Sequence, residues 1–249
     1  MKNYMKNIVS FQYWSLSYEN LDLKIALPED GVRRFIEDHL TPQRSDLSCF
    51  EFGIYPGRYA AVFGNLGYEL NGVDQIPYTQ NRLPQWFSEC AYTYNYLGCE
   101  SIENLNLDRR FDLVYSIGFI EHFKDYKNII DKHLDLLSDD GVLFISTPNF
   151  RGVIQFLLHL LIDKKNLDRH VIESMNPKIW KEQLIERGLN VISYGYFHGF
   201  DFWVDNQSRN IFQRVLKKCI FKILPILKHV FKNNSAHYSP YCYILAKKN

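Results

Sequence analysis

From about residue 47 onwards, short apolar runs alternate along the chain with stretches of helical periodicity. Leu47 to Phe52 reads as a strand ending in a glycine turn, Gly53-Ile-Tyr-Pro-Gly57, and Arg58 to Leu66 as a helix stopped by Gly67. Tyr68 to Val73 is the next strand and runs into Asp74. Leu83 to Leu97 is amphipathic, which predicts a helix stopped by Gly98, with a brief strand around Cys99 to Ile102. Phe111 to Ser116 is an apolar strand after the Asp108-Arg-Arg turn, and Tyr126 to Leu137 places Ile129, Ile130, Leu134 and Leu137 at helical spacing. The turn Ser138-Asp-Asp-Gly141 leads into the strand Val142 to Ser146. Pro177 to Arg187 predicts a helix capped by Gly188; Leu189 to Tyr196 and Tyr241 to Ala246 predict strands. Strands alternating with helices mean a mostly parallel sheet covered on both faces. Runs that are apolar throughout, such as VLFIS, fit buried parallel strands. The fold class is therefore α/β, an open doubly wound sheet with its ligand crevice beyond the carboxyl ends of the strands.

Composition narrows the class. The chain has 249 residues, 46% apolar and 23% charged, which excludes disorder and fibrous architectures and fits one large domain. An aromatic share of 16% suits a deep pocket for an organic ligand. No window approaches the ~18 uncharged apolar residues of a membrane span, and the amino terminus lacks the pattern of an export signal. Five cysteines at 49, 90, 99, 219 and 242 form no C-x-x-C pair, favouring reduced thiols. The expectation is a cytoplasmic protein.

The net charge of +1 hides an asymmetry. Residues 206–249 carry nine Lys/Arg and no acid, whereas residues 1–205 carry 20 Lys/Arg and all 28 acids. An acidic body argues against nucleic acid as a partner. Residues 198–238 form a basic amphipathic insertion, with apolar positions from Ile211 to Phe231 interleaved with Arg214, Lys217, Lys218, Lys222, Lys228 and Lys232, and Pro225 as a break. Within it, 206–232 could lie on an anionic membrane, cover the active site or form a dimer surface; the oligomeric state stays open.

The candidate chemistry lies in Glu51-Phe-Gly53-Ile-Tyr55-Pro-Gly57 and in Gly72-Val-Asp74. Glycines after the first strand let the backbone approach a ligand, and an acid ending the second suits the paired hydroxyls of a ribose. Glu51 makes the loop E-x-G-x-x-x-G instead of the dinucleotide G-x-G-x-x-G. A carboxylate there repels a pyrophosphate and favours a cationic methionine group. Together with Phe111-Asp-Leu-Val-Tyr-Ser-Ile-Gly-Phe-Ile-Glu-His122 and Gly141-Val-Leu-Phe-Ile-Ser-Thr-Pro-Asn149, the sequence resembles the class I S-adenosylmethionine-dependent methyltransferases, in their small-molecule, ubiquinone-type O-methyltransferase branch. The resemblance covers about residues 47 to 196 plus the last strand. It implies a Rossmann-like, seven-stranded sheet with an antiparallel last strand, S-adenosylmethionine as cofactor and S-adenosylhomocysteine as product. By position, Glu51, Gly53 and Gly57 would line the methionine end, with Tyr55 standing where the family commonly has glycine and covering the cofactor. Asp74 would hold the ribose, Glu100 (or Glu103) would approach the adenine amino group, and Ser116 and Ile117 would lie beneath the cofactor.

A hydroxyl acceptor gains from a general base. Candidates are His122, which otherwise packs the helix start beside Glu121, and His170, which otherwise tethers its loop. No metal-ligand spacing motif is present, so no metal is expected. The domain plan is a helical cap over residues 1–46, whose Tyr13, Trp14 and Tyr18 either close over the cofactor or pack on the sheet edge, a cofactor-binding core at 47–197, the insertion at 198–238 and the terminal strand at 239–249. The function expected is methyl transfer to a small-molecule or saccharide hydroxyl. A non-catalytic methyltransferase-like subunit and an NAD-dependent oxidoreductase are the alternatives, and the greasy helix at 152–162 beside the basic insertion hints at a lipid-linked glycan acceptor.

Overall fold

The computed structural model describes residues 7–249. Its strands are β1 (Ser48–Phe52), β2 (Glu69–Asp74), β3 (Tyr94–Cys99), β4 (Phe111–Ile117), β5 (Leu137–Pro148), β6 (Asn190–Phe197) and β7 (Tyr241–Lys247). They form one sheet in the order β3-β2-β1-β4-β5-β7-β6, parallel throughout except that β7 runs antiparallel to both of its neighbours. The chain winds outward from β1 and β4 in opposite directions, so a crevice opens where those two strands end. This is the expected fold.

Ten helices accompany the sheet among the described residues: α1 (Phe11–Tyr18), α2 (Gly31–His39), α3 (Ala60–Asn65), α4 (Tyr78–Asn81), α5 (Leu83–Glu89), α6 (Tyr126–Asp135), α7 (Val153–Ile162), α8 (Lys164–Leu167), α9 (Pro177–Glu186) and α10 (Ile211–Val230). Alternation along the central strands builds a core on each face. Cys49, Leu113, Tyr115 and Phe144 face α2, α3 and α5, in one cluster with Phe35, Phe63 and Phe87. Phe50, Phe52, Val114 and Ile145 face α6 and α9, in a second cluster with Ile129, Ile130 and Trp180.

Four expectations need correction. The helix predicted to Leu97 ends at Glu89, Ala91 takes a φ of +58°, and Tyr94–Cys99 is a strand. Pairing with β2 outweighs the helical periodicity there, and the side chain of Asn71 accepts the Tyr96 N–H at 3.0 Å across a register shift. The turn at Ser138–Gly141 lies within β5 as a bulge: β4 advances from Phe111 to Leu113 while β5 advances from Leu137 to Val142. Pro225 does not break its helix; it lies inside α10 on a solvent-exposed side, where its ring meets no packed neighbour. Finally, residues 1–46 are not one cap. Residues 1–6 lie outside the described residues, α1 reaches the crevice, and α2 is part of the core, with Phe35 stacked on Phe144 at 5.2 Å.

Candidate active site

A cavity of about 470 Å³ lies at the carboxyl ends of β1, β2 and β4. Its floor is the turn after β1, where Gly53 and Gly57 take φ of +78° and +80°. A Cβ on Gly53 would stand 2.7 Å from the Phe119 ring, so only a bare backbone fits between that ring and the ligand space. The turn is tied to β2 by the Gly53 N–H on the Val73 carbonyl at 2.9 Å and by the Tyr55 N–H on the Asp74 carboxylate at 3.3 Å.

Two acids face this space, Glu51 buried and Asp74 half-buried. Glu51 is 3% exposed, and the Tyr115 hydroxyl donates to it at 2.9 Å. Burial lifts its carboxyl well above the usual range. Asp74 accepts the Ile76 N–H at 3.1 Å as well as that of Tyr55, yet burial still raises it to about 7. Both carboxylates are costly to ionise in the bare protein and are stabilised by a ligand that brings positive charge or hydroxyl donors.

Aromatic rings close the other side. Trp14 and Tyr18 of α1 stack at 5.6 Å and line the cavity; Tyr18 meets Tyr55 edge-on at 5.2 Å and Trp14 meets His122 edge-on at 5.1 Å. Tyr13 does not line the cavity; its hydroxyl accepts from Arg169, which holds α1 against the loop before α9. The Tyr55 ring lies on the wall with its hydroxyl on Arg82 at 3.0 Å.

The structure thus brings Glu51, Gly53, Tyr55, Gly57, Asp74, Glu100, Ile117 and His122 to one cavity, with Glu103 also on its wall. Glu100 is oriented by the Tyr96 hydroxyl. Ser116 is the correction: it does not line the cavity, and its hydroxyl bonds His133 of α6 at 2.9 Å on the opposite face of the sheet. The reason is parity, because Ser116 alternates with Tyr115 and Ile117 and shares a face with Val114. Phe119, which reaches over Gly53, was missed from the sequence; it follows β4 with no local pattern to mark it.

His170 is not on the cavity wall but stands behind His122, their rings 4.8 Å apart. Each ring donates Nδ1–H to a backbone carbonyl, His122 to Arg169 at 3.0 Å and His170 to Asn166 at 2.6 Å. Burial lowers His122 to about 4, and burial together with the neighbouring His122 holds His170 well below the usual imidazole value. Both rings are neutral at pH 7 with Nε2 unprotonated, which makes them weak bases but open acceptors. Beside them Glu121 is fully buried, with no side-chain partner for its carboxylate among the described residues; burial raises it to about 8.

A family model described as a methyltransferase domain matches residues 25–194, a span that includes the whole cavity floor. The chain belongs to the methyltransferase-domain family. S-adenosylmethionine is the methyl donor this membership implies. The ubiquinone biosynthesis O-methyltransferase of Bos taurus mitochondria is 24% identical over 216 residues, and this chain spans 58% of that relative's length while matching over 80% of its own. Among solved structures, an S-adenosylmethionine-dependent methyltransferase from Archaeoglobus fulgidus superposes with a TM-score of 0.55 at 19% identity, over 87% of this chain and 93% of that one. The [4+2]-cyclase SpnF superposes with a TM-score of 0.58 at 12% identity, over 98% of both chains. These likenesses show the fold. Among the described residues no helix is long and apolar enough to cross a membrane.

Proposed function

We propose that this methyltransferase transfers the methyl group of S-adenosylmethionine to a hydroxyl oxygen of a small-molecule or saccharide acceptor. The observation that carries the reading is the pairing of two acids, the buried Glu51 and the half-buried Asp74, in one cavity floored by Gly53 and Gly57 and closed by Trp14 and Tyr18. Glu51 answers the cationic methionine end, Asp74 accepts both ribose hydroxyls, and Glu100 reaches the adenine amino group. Methyl transfer from a sulfonium needs in-line alignment of acceptor, methyl carbon and sulfur, a positioning effect worth roughly 7–11 kcal/mol. The aromatic wall supplies that alignment by excluding water and fixing the sulfonium. The position of His122 on the cavity wall supports a role beside the acceptor, and the name of the bovine relative supports an oxygen acceptor. The test is calorimetric titration of the protein with S-adenosylmethionine, S-adenosylhomocysteine and NAD in parallel. Micromolar binding of the two sulfur nucleosides without NAD is expected; binding of NAD alone, or of none of the three, overturns the reading.

The acceptor side of the proposal is a lipid-linked glycan met at a membrane surface. β6 ends and antiparallel β7 begins at the end of the sheet where β5 finishes, so the segment between them emerges on the crevice side of the sheet. Its helix α10 exposes Ile211, Phe212, Val215, Ile223, Ile226 and Val230, and α7 packed beside it exposes Leu157 and Leu161. Lys217, Lys218 and Lys222 flank this apolar surface. Binding to vesicles containing anionic phospholipid is expected, released as salt is raised because the attraction is screened. Failure to pellet with such vesicles at low salt, or equal binding to neutral ones, removes the membrane reading.

A further inference from the structure

We propose that a second cleft, between the start of α2, the loop after β6 and the end of α10, binds a sugar phosphate, the charged end of a saccharide acceptor. The cleft holds about 930 Å³ and adjoins the first cavity, since Arg58 and Tyr59 line both. Three segments distant in sequence are pinned together to build it. The His198 ring lies against Gly31 in the first turn of α2, where a Cβ would collide with it. His198 itself takes a φ of +74°, a backbone conformation that side chains rarely adopt. Gly199 follows at +53°, and a Cβ there would stand 2.9 Å from the Lys232 carbonyl. The Gly199 N–H donates to the Asn234 side chain at 3.1 Å and the Phe200 N–H to the Phe231 carbonyl at 2.7 Å, which ties the loop to the end of α10.

The charged side chains of the lining divide into two sets. Asp201 accepts from Lys228 at 2.8 Å and from His198 Nε2 at 3.2 Å, and Asp30 accepts from Arg58 and from the Tyr59 hydroxyl. Those two carboxylates are thereby fixed, with acceptor capacity left for sugar hydroxyls. Tyr241 also lines the cleft; burial and the nearby Asp30 and Asp201 keep its hydroxyl protonated, a donor to the same ligand. Phe200 and Trp203 add apolar lining. Arg34 and Lys232 form the second set: among the described residues neither has a carboxylate at ion-pair distance, and one acid of the lining, Glu29, stands against the two. Unpaired cations beside fixed carboxylates and a phenol match a ligand with a phosphate at one end and hydroxyls at the other. The role of the cleft rests on the methyl-transfer reading. A saccharide anchored here by its phosphate extends past Arg58 and Tyr59 toward the first cavity, and that remote anchoring contributes to aligning its reacting hydroxyl.

The full chain is titrated calorimetrically with the 1-phosphates of glucose, galactose and mannose, with inorganic phosphate, with the free hexoses and, in detergent, with polyprenyl-phosphoryl hexoses. Binding of at least one sugar phosphate below roughly 1 mM, at least about tenfold tighter than inorganic phosphate, is expected. Arg34→Ala and Lys232→Ala, both at exposed positions, are each expected to weaken that binding roughly 10–100-fold, with S-adenosylhomocysteine affinity held within about twofold. That retained affinity shows that the variants fold. Tighter binding of the polyprenyl diester supports a lipid-linked source of the sugar phosphate, and tighter binding of the free ester supports a soluble one. Failure of every sugar phosphate to bind, unchanged binding by both variants, or equal affinity for inorganic phosphate overturns the proposal. Binding of S-adenosylhomocysteine without any sugar phosphate would overturn the cleft alone, whereas a sugar phosphate bound without either sulfur nucleoside would leave the cleft standing and overturn its role in methyl transfer.

Discussion

Replacing Asp74 by alanine is expected to abolish measurable binding of both S-adenosylmethionine and S-adenosylhomocysteine. In its proposed role the carboxylate accepts two ribose hydroxyls, each a charge-assisted bond worth about 1.5–3 kcal/mol. Their loss amounts to roughly two to four orders of magnitude in affinity at 1.36 kcal/mol per tenfold. The substitution also strips acceptors from the N–H groups of Tyr55 and Ile76 that shape the turn. Calorimetric titration of the two proteins measures it, and unchanged affinity would remove Asp74 from the site. The same carboxyl sets a pH dependence. Burial raises it to about 7 in the bare protein, while the bound nucleoside favours the ionised form. Binding therefore releases a proton below pH 7, and affinity falls by up to about tenfold per pH unit there, levelling off above it. Titration in two buffers of different ionisation heat reads the released proton directly.

Replacing Asp163 by alanine is expected to have the largest effect on stability. Asp163 is fully buried between α7 and α8, and Arg209, 6% exposed in its side chain, donates to it at 2.8 Å. Asn166, the Asp205 N–H and Gln207 donate to the same carboxylate. Burial alone would raise this carboxyl, but the surrounding donors hold it below the usual value. Alanine leaves the Arg209 guanidinium buried without its charge partner, at a cost of about 3–5 kcal/mol. For a chain of this size that lowers the thermal midpoint by roughly 10 °C. Because the folded-state value is depressed, the stabilisation is complete at neutral pH and is lost only as pH falls below the ordinary carboxylate range. Thermal denaturation at pH 7 and at pH 3 should show the gap between the two proteins wide in the first and narrowed in the second. An equal gap at both would show that the pair carries no ionic stabilisation.

The strands at Phe111 and Val142 were legible because buried parallel strands must be apolar on both faces, which leaves a local mark. The acids Glu51 and Asp74 were legible because glycines beside them declare a backbone that approaches a ligand. The strand at Tyr94–Cys99 was not, since its periodicity mimics a helix and only pairing with β2 decides it. Ser116 failed for a related reason: the end of a strand can be read locally, but which face a residue takes depends on its register within the sheet.

What the chain determines by itself is therefore the order of elements and the glycine turn after β1 that floors the cavity, since local pattern and a short spacing suffice for both. Only the tertiary structure decided that α1 closes the cavity while α2 joins the core, and that Arg209 meets Asp163 across 46 residues. It also decided that His170, 48 residues beyond His122, stands against it and beside the buried Glu121. Those contacts join segments with no common periodicity. The free energy that selects them is the burial of whole surfaces and the pairing of charges inside, neither of which leaves a trace in the neighbouring sequence.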